Sequence, residues 1–164
     1  MTTLYLPDGY HLRCGNTLDR ALLLKLTRHT YAELHPNASL AHLAETIDQY
    51  FSARTPVWFV EFAPSPSDRS PTPPPSAIAC IWLGTAIDQV QGDRHANVFL
   101  LYVAPEHRRR GIASVLLNTA EAWAKERGDR QITLQVFEFN EPAIRLYEKR
   151  GYQIQSLVMQ KSLS

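Results

Sequence analysis

The stretch "LLYVAPEHRRRGIASVLLNTAEAWAKERG", Leu100 to Gly128, runs from apolar to basic to amphipathic without a break. Its first part belongs to a longer apolar run, Ala96–Pro105, as expected for a central strand covered on both faces. Its last part places Ile112, Val115, Leu116, Ala120, Trp123 and Ala124 at helical spacing, with Asn118, Glu121 and Lys125 facing away. Gly128 is well placed to end that helix at its C′ position. Between strand and helix lies a bend, "EHRRRG", in which four consecutive basic residues precede a glycine. A solvated charge run is one reading of it. The other is an anion site: a helix N-terminus offers unpaired N–H groups and a partial positive charge. Gly111 lets a ligand approach the backbone, Ala113 adds little bulk, and Arg108, Arg109 and Arg110 bring forked donors suited to phosphate. The bend matches neither GxxxxGK[ST] nor GxGxxG.

Outward from this stretch, Gln131–Phe137 alternates as a strand, so the helix becomes a right-handed crossover between parallel strands. Asn140 can cap the next helix, with Pro142 tolerated in its first turn, Ala143, Ile144 and Tyr147 along it, and Gly151 closing it. "YQIQSLVMQKSL" supplies a last strand or strands. Upstream, Tyr10–Cys14 reads as a strand and Asn16–Leu34 as a helix. A second helix covers Ser39–Ala53, with Ser39 as its N-cap and Leu43, Ile47, Tyr50 and Phe51 on one face. Thr55–Phe62 and Ala77–Ile87 are strands. Between those two, Pro64–Ser76 holds six of the eleven prolines and reads as a mobile hairpin connection, or else as a ligand for a proline-recognition module. The order β-α-α-β-β-β-α-β-α-β is that of a mixed α/β or α+β sandwich.

A chain of 164 residues suits one domain, residues 1–164, with its core over about 10–164. With 45% hydrophobic and 20% charged residues and a formal charge of +1, the composition gives no reason to expect nucleic acid or a membrane surface as partner. The absence of a long apolar stretch and of a charged, then apolar, leader suggests a cytoplasmic protein. Cys14 and Cys80 form no CxxC and read as buried free thiols. The six histidines lack metal-ligand spacing, so no metal is implied.

Residues Arg108–Ala113 fit [Q/R]-x-x-G-x-[G/A], and "NEPAIRLYEKRGY" fills every fixed position of N-x-x-A-x-x-L-Y-x-x-x-G-[FY]. These two patterns, in this order, resemble the GNAT superfamily of acetyl-CoA-dependent N-acetyltransferases. The resemblance covers Tyr10 to the end, the proline-rich loop being foreign to it. It implies a mainly antiparallel central sheet with a splayed parallel pair of strands and helices on both faces. It implies acetyl-CoA as co-substrate, its pantetheine arm along Leu101, Tyr102 and Val103 and its pyrophosphate on the amides of Arg109, Arg110, Gly111, Ile112, Ala113 and Ser114. Asn140 would bond the pantetheine as well as cap its helix, and Tyr147 would protonate the leaving thiolate.

The implied reaction is direct attack by an amine, small or part of a peptide or protein, without an acyl-enzyme. Some family members carry a glutamate on the fourth strand as base, where this chain has Asn97, Phe99 and Leu101. Glu61, Glu138 and His95 are the remaining candidates. Tyr31, His35, Tyr50 and Trp58 could line an acceptor pocket or simply pack the core. A non-catalytic acetyl-CoA sensor of the same fold is the alternative, and a homodimer is left open. A nucleic-acid module built on His107–Arg110 lacks a second basic stripe and interleaved aromatics.

Overall fold

Four antiparallel strands and one parallel strand make a single sheet in the order β1-β2-β3-β4-β5. These are β1 (Tyr10–Cys14), β2 (Val57–Phe62), β3 (Ser76–Ile87), β4 (Arg94–Val103) and β5 (Ile132–Leu134). The computed structural model describes residues 4–65 and 74–163. The middle of the proline-rich loop therefore lies outside the described residues, but Phe62 pairs with Ser76, so the loop connects two hydrogen-bonded neighbours. Helix α1 spans Arg20–Leu34, α2 Leu43–Tyr50 and α3 Ile112–Glu126. The parallel β4–β5 pair joined through α3 is the expected crossover.

Side-chain alternation assigns the helices to opposite faces. Trp58 of β2 lies opposite Ile81 and meets Trp123 of α3 edge-on, with ring centroids 6.3 Å apart. The next residue of β3, Trp82, points the other way and meets Phe51, just after α2, at 6.1 Å. Both faces of β3 are thus covered, and Ile78–Gly84 is buried throughout. β4 departs from the expectation of two covered faces: Asn97, Phe99 and Leu101 remain half-exposed.

Several boundaries differ from the sequence reading. α2 begins at Leu43 rather than Ser39, because a turn from Leu40 to Leu43 comes first and the buried Leu43 and Ile47 set the helix register. β5 has three residues rather than seven, since its ladder with β4 ends at Val98–Leu134. Residues 152–163 form no strand, and Ile154, Leu157, Val158 and Met159 are exposed. Apolar alternation without a neighbouring ladder does not make a strand. Cys14 is exposed and Cys80 buried, so only one of the two thiols is in the core.

The chain divides into two compact units, residues 1–134 and 135–164. The sheet and α1–α3 belong to the first. The second holds α4 (Glu141–Lys149), capped by Asn140, whose side chain accepts a hydrogen bond from the Ala143 amide at 3.4 Å. Gly151, at φ +88°, ends it in the left-handed region.

Candidate functional site

The bend after β4 is built from two consecutive departures from ordinary backbone. Arg109 has φ +62° and Gly111 φ +79°, so the chain enters α3 through two left-handed residues. A Cβ on Gly111 would meet nothing within 4 Å, so glycine is required there by the backbone angle and not by crowding. No side chain caps α3, and its first internal hydrogen bond runs from the Val115 amide to the Gly111 carbonyl. The six amides from Arg109 to Ser114 have no hydrogen-bond partner among the described residues. Backbone donors gathered in this way, with the helix dipole behind them, can hold an anion.

The basic run divides into two parts. His107 Nδ1 is 2.7 Å from the Tyr10 hydroxyl. Arg108 Nε donates to the Val103 carbonyl at 2.8 Å, and its two terminal nitrogens fork onto Glu33 of α1 at 2.6 and 2.7 Å. The Arg108 guanidinium holds the Glu33 carboxyl below its ordinary range. These two basic residues are therefore occupied in fixing the bend. Arg109 and Arg110 are exposed and have no ion-pair partner among the described residues, so they are the charges left for an anion. Glu33 carries no sequence signal of its own, and only the fold brings it to this bend.

Beside the bend, β4 opens. Trp82 lies opposite Leu100 and Leu83 opposite Val98, which makes Phe99 an extra, bulged residue. Past Val98 the β5 ladder has ended, so among the described residues no strand lies beside the Leu101–Val103 edge on that side. The Ala104 amide donates to the Ile78 carbonyl of β3 at 2.8 Å. Backbone groups alternate along a strand, so Tyr102 also turns its amide and carbonyl to β3, whereas those of Leu101 and Val103 face the opening. Tyr102 thus contributes a buried ring, 6.1 Å from that of His29, and not its backbone. Burial pushes its phenol pKa up.

On the α1–α2 face of the sheet a cavity of about 210 Å³ is walled by Thr27, Tyr31, Leu43, Thr46, Ile47, Tyr50, Trp82, Phe99 and Leu100. Two of the sequence candidates, Tyr31 and Tyr50, line it. Trp58 packs on Trp123 on the opposite face, and His35 stacks on Tyr31 at 6.3 Å. Gly84 makes room for the bulge: a Cβ there would come within 1.9 Å of the Phe99 ring.

Of the candidate bases, Glu61 is held by Arg13 Nε at 2.7 Å on β2, away from the opening. Glu138 is exposed in the second unit. His95 is buried at the start of β4 in a polar chain. The Gln131 amide donates to Asp88 at 2.6 Å and lies 3.3 Å from His95 Nδ1, while His95 Nε2 is 3.1 Å from the Thr133 hydroxyl. That hydroxyl donates to Asn97 Oδ1 at 2.9 Å. The chain is satisfied when Nδ1 accepts and Nε2 carries the proton, which makes His95 a fixed donor that orients Asn97. In the second unit, Tyr147 is half-buried on α4 with its ring 5.8 Å from that of Tyr152. Burial pushes its hydroxyl pKa up to about 12.

A profile of the "Acetyltransferase (GNAT) family" matches residues 27–152, well over half of the chain. The "Uncharacterized N-acetyltransferase YdgE" of Bacillus subtilis (strain 168) is 32% identical over 82 residues, 50% of this chain and 52% of that protein. The chain thus spans about half the length of that relative. Among solved structures, a "predicted acetyltransferase with acetyl-CoA" from Clostridium acetobutylicum superposes with TM-score 0.71 at 18% identity, over 94% of this chain and 96% of that one. The aminoglycoside enzyme AAC(6')-Iy, with a bisubstrate analogue joining CoA to an acetylneamine, gives 0.65 at 17%, over 94% and 98%. The bulged fourth strand, its shortened parallel partner and the open bend agree with what the profile match says independently: this chain belongs to the GNAT family of acetyltransferases.

Proposed function

We propose that the protein transfers the acetyl group of acetyl-CoA to a primary amine by direct attack in a ternary complex. One observation carries the reading: the unpartnered amides of Arg109–Ser114 continue directly from the free edge of β4. A ligand with a pyrophosphate at one end and an amide-bearing arm at the other fits that continuity, and the arm takes the place of the missing neighbouring strand. Acetyl-CoA supplies an activated acetyl thioester when bound. The neighbour solved with acetyl-CoA and the one solved with a CoA bisubstrate analogue support this choice of co-substrate.

In this reading Arg109–Ser114 hold the pyrophosphate with backbone N–H groups, and Arg109 and Arg110 add long-range attraction. Leu101 pairs with the arm through its outward amide and carbonyl, and Val103 through its amide, its carbonyl being held by Arg108 Nε. An N–H from this edge faces the thioester oxygen, where a fixed donor in a water-poor site stabilises developing negative charge. Asn140 bonds the pantetheine while capping α4. Tyr147 serves as the acid for the departing sulfur: with a pKa near 12 its hydroxyl stays protonated throughout the working range.

The acceptor must attack as the neutral amine. A lysine-like amine with pKa about 10.4 is only about 0.1% neutral at pH 7.4. No carboxylate stands on β4 from Ala96 to Val103 or among the residues of the cavity wall. The proton therefore leaves to water before attack, with Asn97 held in place by His95 and Thr133. The protein is further proposed to work in the cytoplasm, in keeping with two free thiols. Among the described residues no helix is long and apolar enough to cross a membrane.

The test is a thermal-shift titration with acetyl-CoA, followed by release of the CoA thiol in the presence of a panel of primary amines. Stabilisation by acetyl-CoA with amine-dependent thiol release supports the proposal. Stabilisation without release from any amine would make the chain a sensor of acetyl-CoA instead.

A further inference from the structure

The cavity beside the bulge differs in kind from a site for a highly charged acceptor. Its nine lining residues include no acid and no base, and four of them, Tyr31, Tyr50, Trp82 and Phe99, are aromatic. The rings brace one another: Phe99 meets Trp82 edge-on at 5.0 Å and Tyr50 at 5.9 Å. The hydroxyls of Thr27 and Thr46 are turned to backbone carbonyls, Leu23 at 2.8 Å and His42 at 3.2 Å, so the wall's other hydroxyls are those of Tyr31 and Tyr50. A polycation would need carboxylates to replace its lost water, and the wall supplies none.

Size points the same way. A cavity of about 150 Å³ with apolar walls accepts benzene, so one of about 210 Å³ holds a single ring with a short chain.

The wall also runs into the reaction edge. Phe99 and Leu100 line the cavity, and Leu101 is the next residue, with its backbone facing the opening beside β4. An amine carried on a body seated among these rings arrives at the proposed thioester position. Apolar enclosure disfavours the charged form and lowers the amine pKa, which supplies the neutral nucleophile that the chain has no carboxylate to generate.

From these observations we infer that the acceptor is a monoamine on a compact aromatic or apolar body, such as an arylalkylamine, and not a polyamine or an aminoglycoside. The inference rests on the acetyl-transfer reading and specifies its acceptor side. It also separates this chain from AAC(6')-Iy, whose fold it shares.

The experiment is steady-state kinetics of the purified chain at fixed acetyl-CoA with three acceptors: 2-phenylethylamine, spermidine and kanamycin. The expected kcat/KM for 2-phenylethylamine exceeds that for each of the others by roughly 10-fold or more. Tyr50 lies at the exposed rim of the wall, so Tyr50→Ala should fold. It should raise KM for 2-phenylethylamine roughly 5- to 10-fold through lost ring contact while leaving KM for acetyl-CoA unchanged. Thr46→Phe, which fills the cavity from another side, should do the same. Faster transfer to spermidine or kanamycin, or equal KM for 2-phenylethylamine in both variants, would overturn the inference and leave the acetyltransferase reading standing. Failure of that reading looks different: acetyl-CoA would neither raise the melting temperature nor release thiol with any of the three amines.

Discussion

Arg108 and Glu33 meet in a two-pronged ion pair, 2.6 and 2.7 Å, that ties helix α1 to the bend preceding α3. Both side chains are about 40% exposed, so the pair contributes to position more than to stability. Glu33→Gln should cost about 0–1 kcal/mol. The sign with pH follows from the lowered Glu33 pKa: the contribution is present above the usual glutamate range and disappears as pH falls through the folded-state value. The stability gap between parent and variant, measured by urea unfolding, should therefore close on acidification below about pH 4. A gap that widens in acid would show that the carboxylate is not held by Arg108.

The same geometry distinguishes the arginines from one another. Arg110 is exposed without an ion-pair partner among the described residues, so Arg110→Ala should weaken CoA binding, and the deficit should shrink at high salt. Glu33→Gln frees a neutralised charge and should leave CoA affinity equal or tighter. Isothermal titration at two ionic strengths checks both. Equal, salt-independent losses in the two variants would count against the assignment.

Gly111→Val places a β-branched residue at φ +79°, where strain of about 1–3 kcal/mol is expected even though the space around it is empty. The chain can relieve it only by turning the bend, which redirects the amides. Stabilisation by acetyl-CoA in a thermal scan should be mostly lost in the folded variant. An undiminished shift would remove this loop as the phosphate site.

Much of this was legible in the sequence, and for specific reasons. The strand–bend–helix around Gly111 announces itself because apolar continuity, charge and helical period change within a dozen residues. The cap at Asn140 and the stop at Gly151 are local chemistry and appear where expected. What could not be read depends on partners distant in the chain. The bulge at Phe99 arises from register against β3 and from the missing Cβ of Gly84. The Arg108–Glu33 pair links residues 75 apart, and nothing local marks it. Apolar alternation in 152–163 promised a strand, but pairing is a property of neighbours.

The two cysteines offer a check on strand placement. Cys14 is on β1 and Cys80 on β3, with β2 between them, so about 9–10 Å separates them and no disulfide can form. In the native protein one thiol should react quickly with a disulfide reagent. The other, Cys80, is fully buried with its pKa pushed up, and should react only on unfolding. Two thiols titrating after denaturation without reductant is the expected total. A mass two units lower would show a bridge and refute the sheet order.

Tyr147→Phe keeps the ring and removes the proposed proton donor. Acetyl-CoA affinity should change little, and kcat should fall roughly 10²-fold, the lower end of what a positioned acid supplies. Because the hydroxyl pKa lies near 12, the parent's rate should show no decline from this group below about pH 11. A thioester with a more acidic thiol should restore part of the loss in the variant. Parent-like turnover in Tyr147→Phe would make the ring a packing element and leave water to protonate the thiolate.

The central claim is that backbone amides, not side chains, hold the co-substrate, and amide NMR of the ¹⁵N-labelled chain titrated with CoA reads them one by one. The account predicts the largest shifts at Arg109–Ser114 and at Leu101 and Val103, whose N–H groups are free. Tyr102 and Ala104, already bonded toward β3, should shift less. Saturable binding that leaves the Arg109–Ser114 amides unmoved, or that perturbs Tyr102 and Ala104 more than their neighbours, would contradict it.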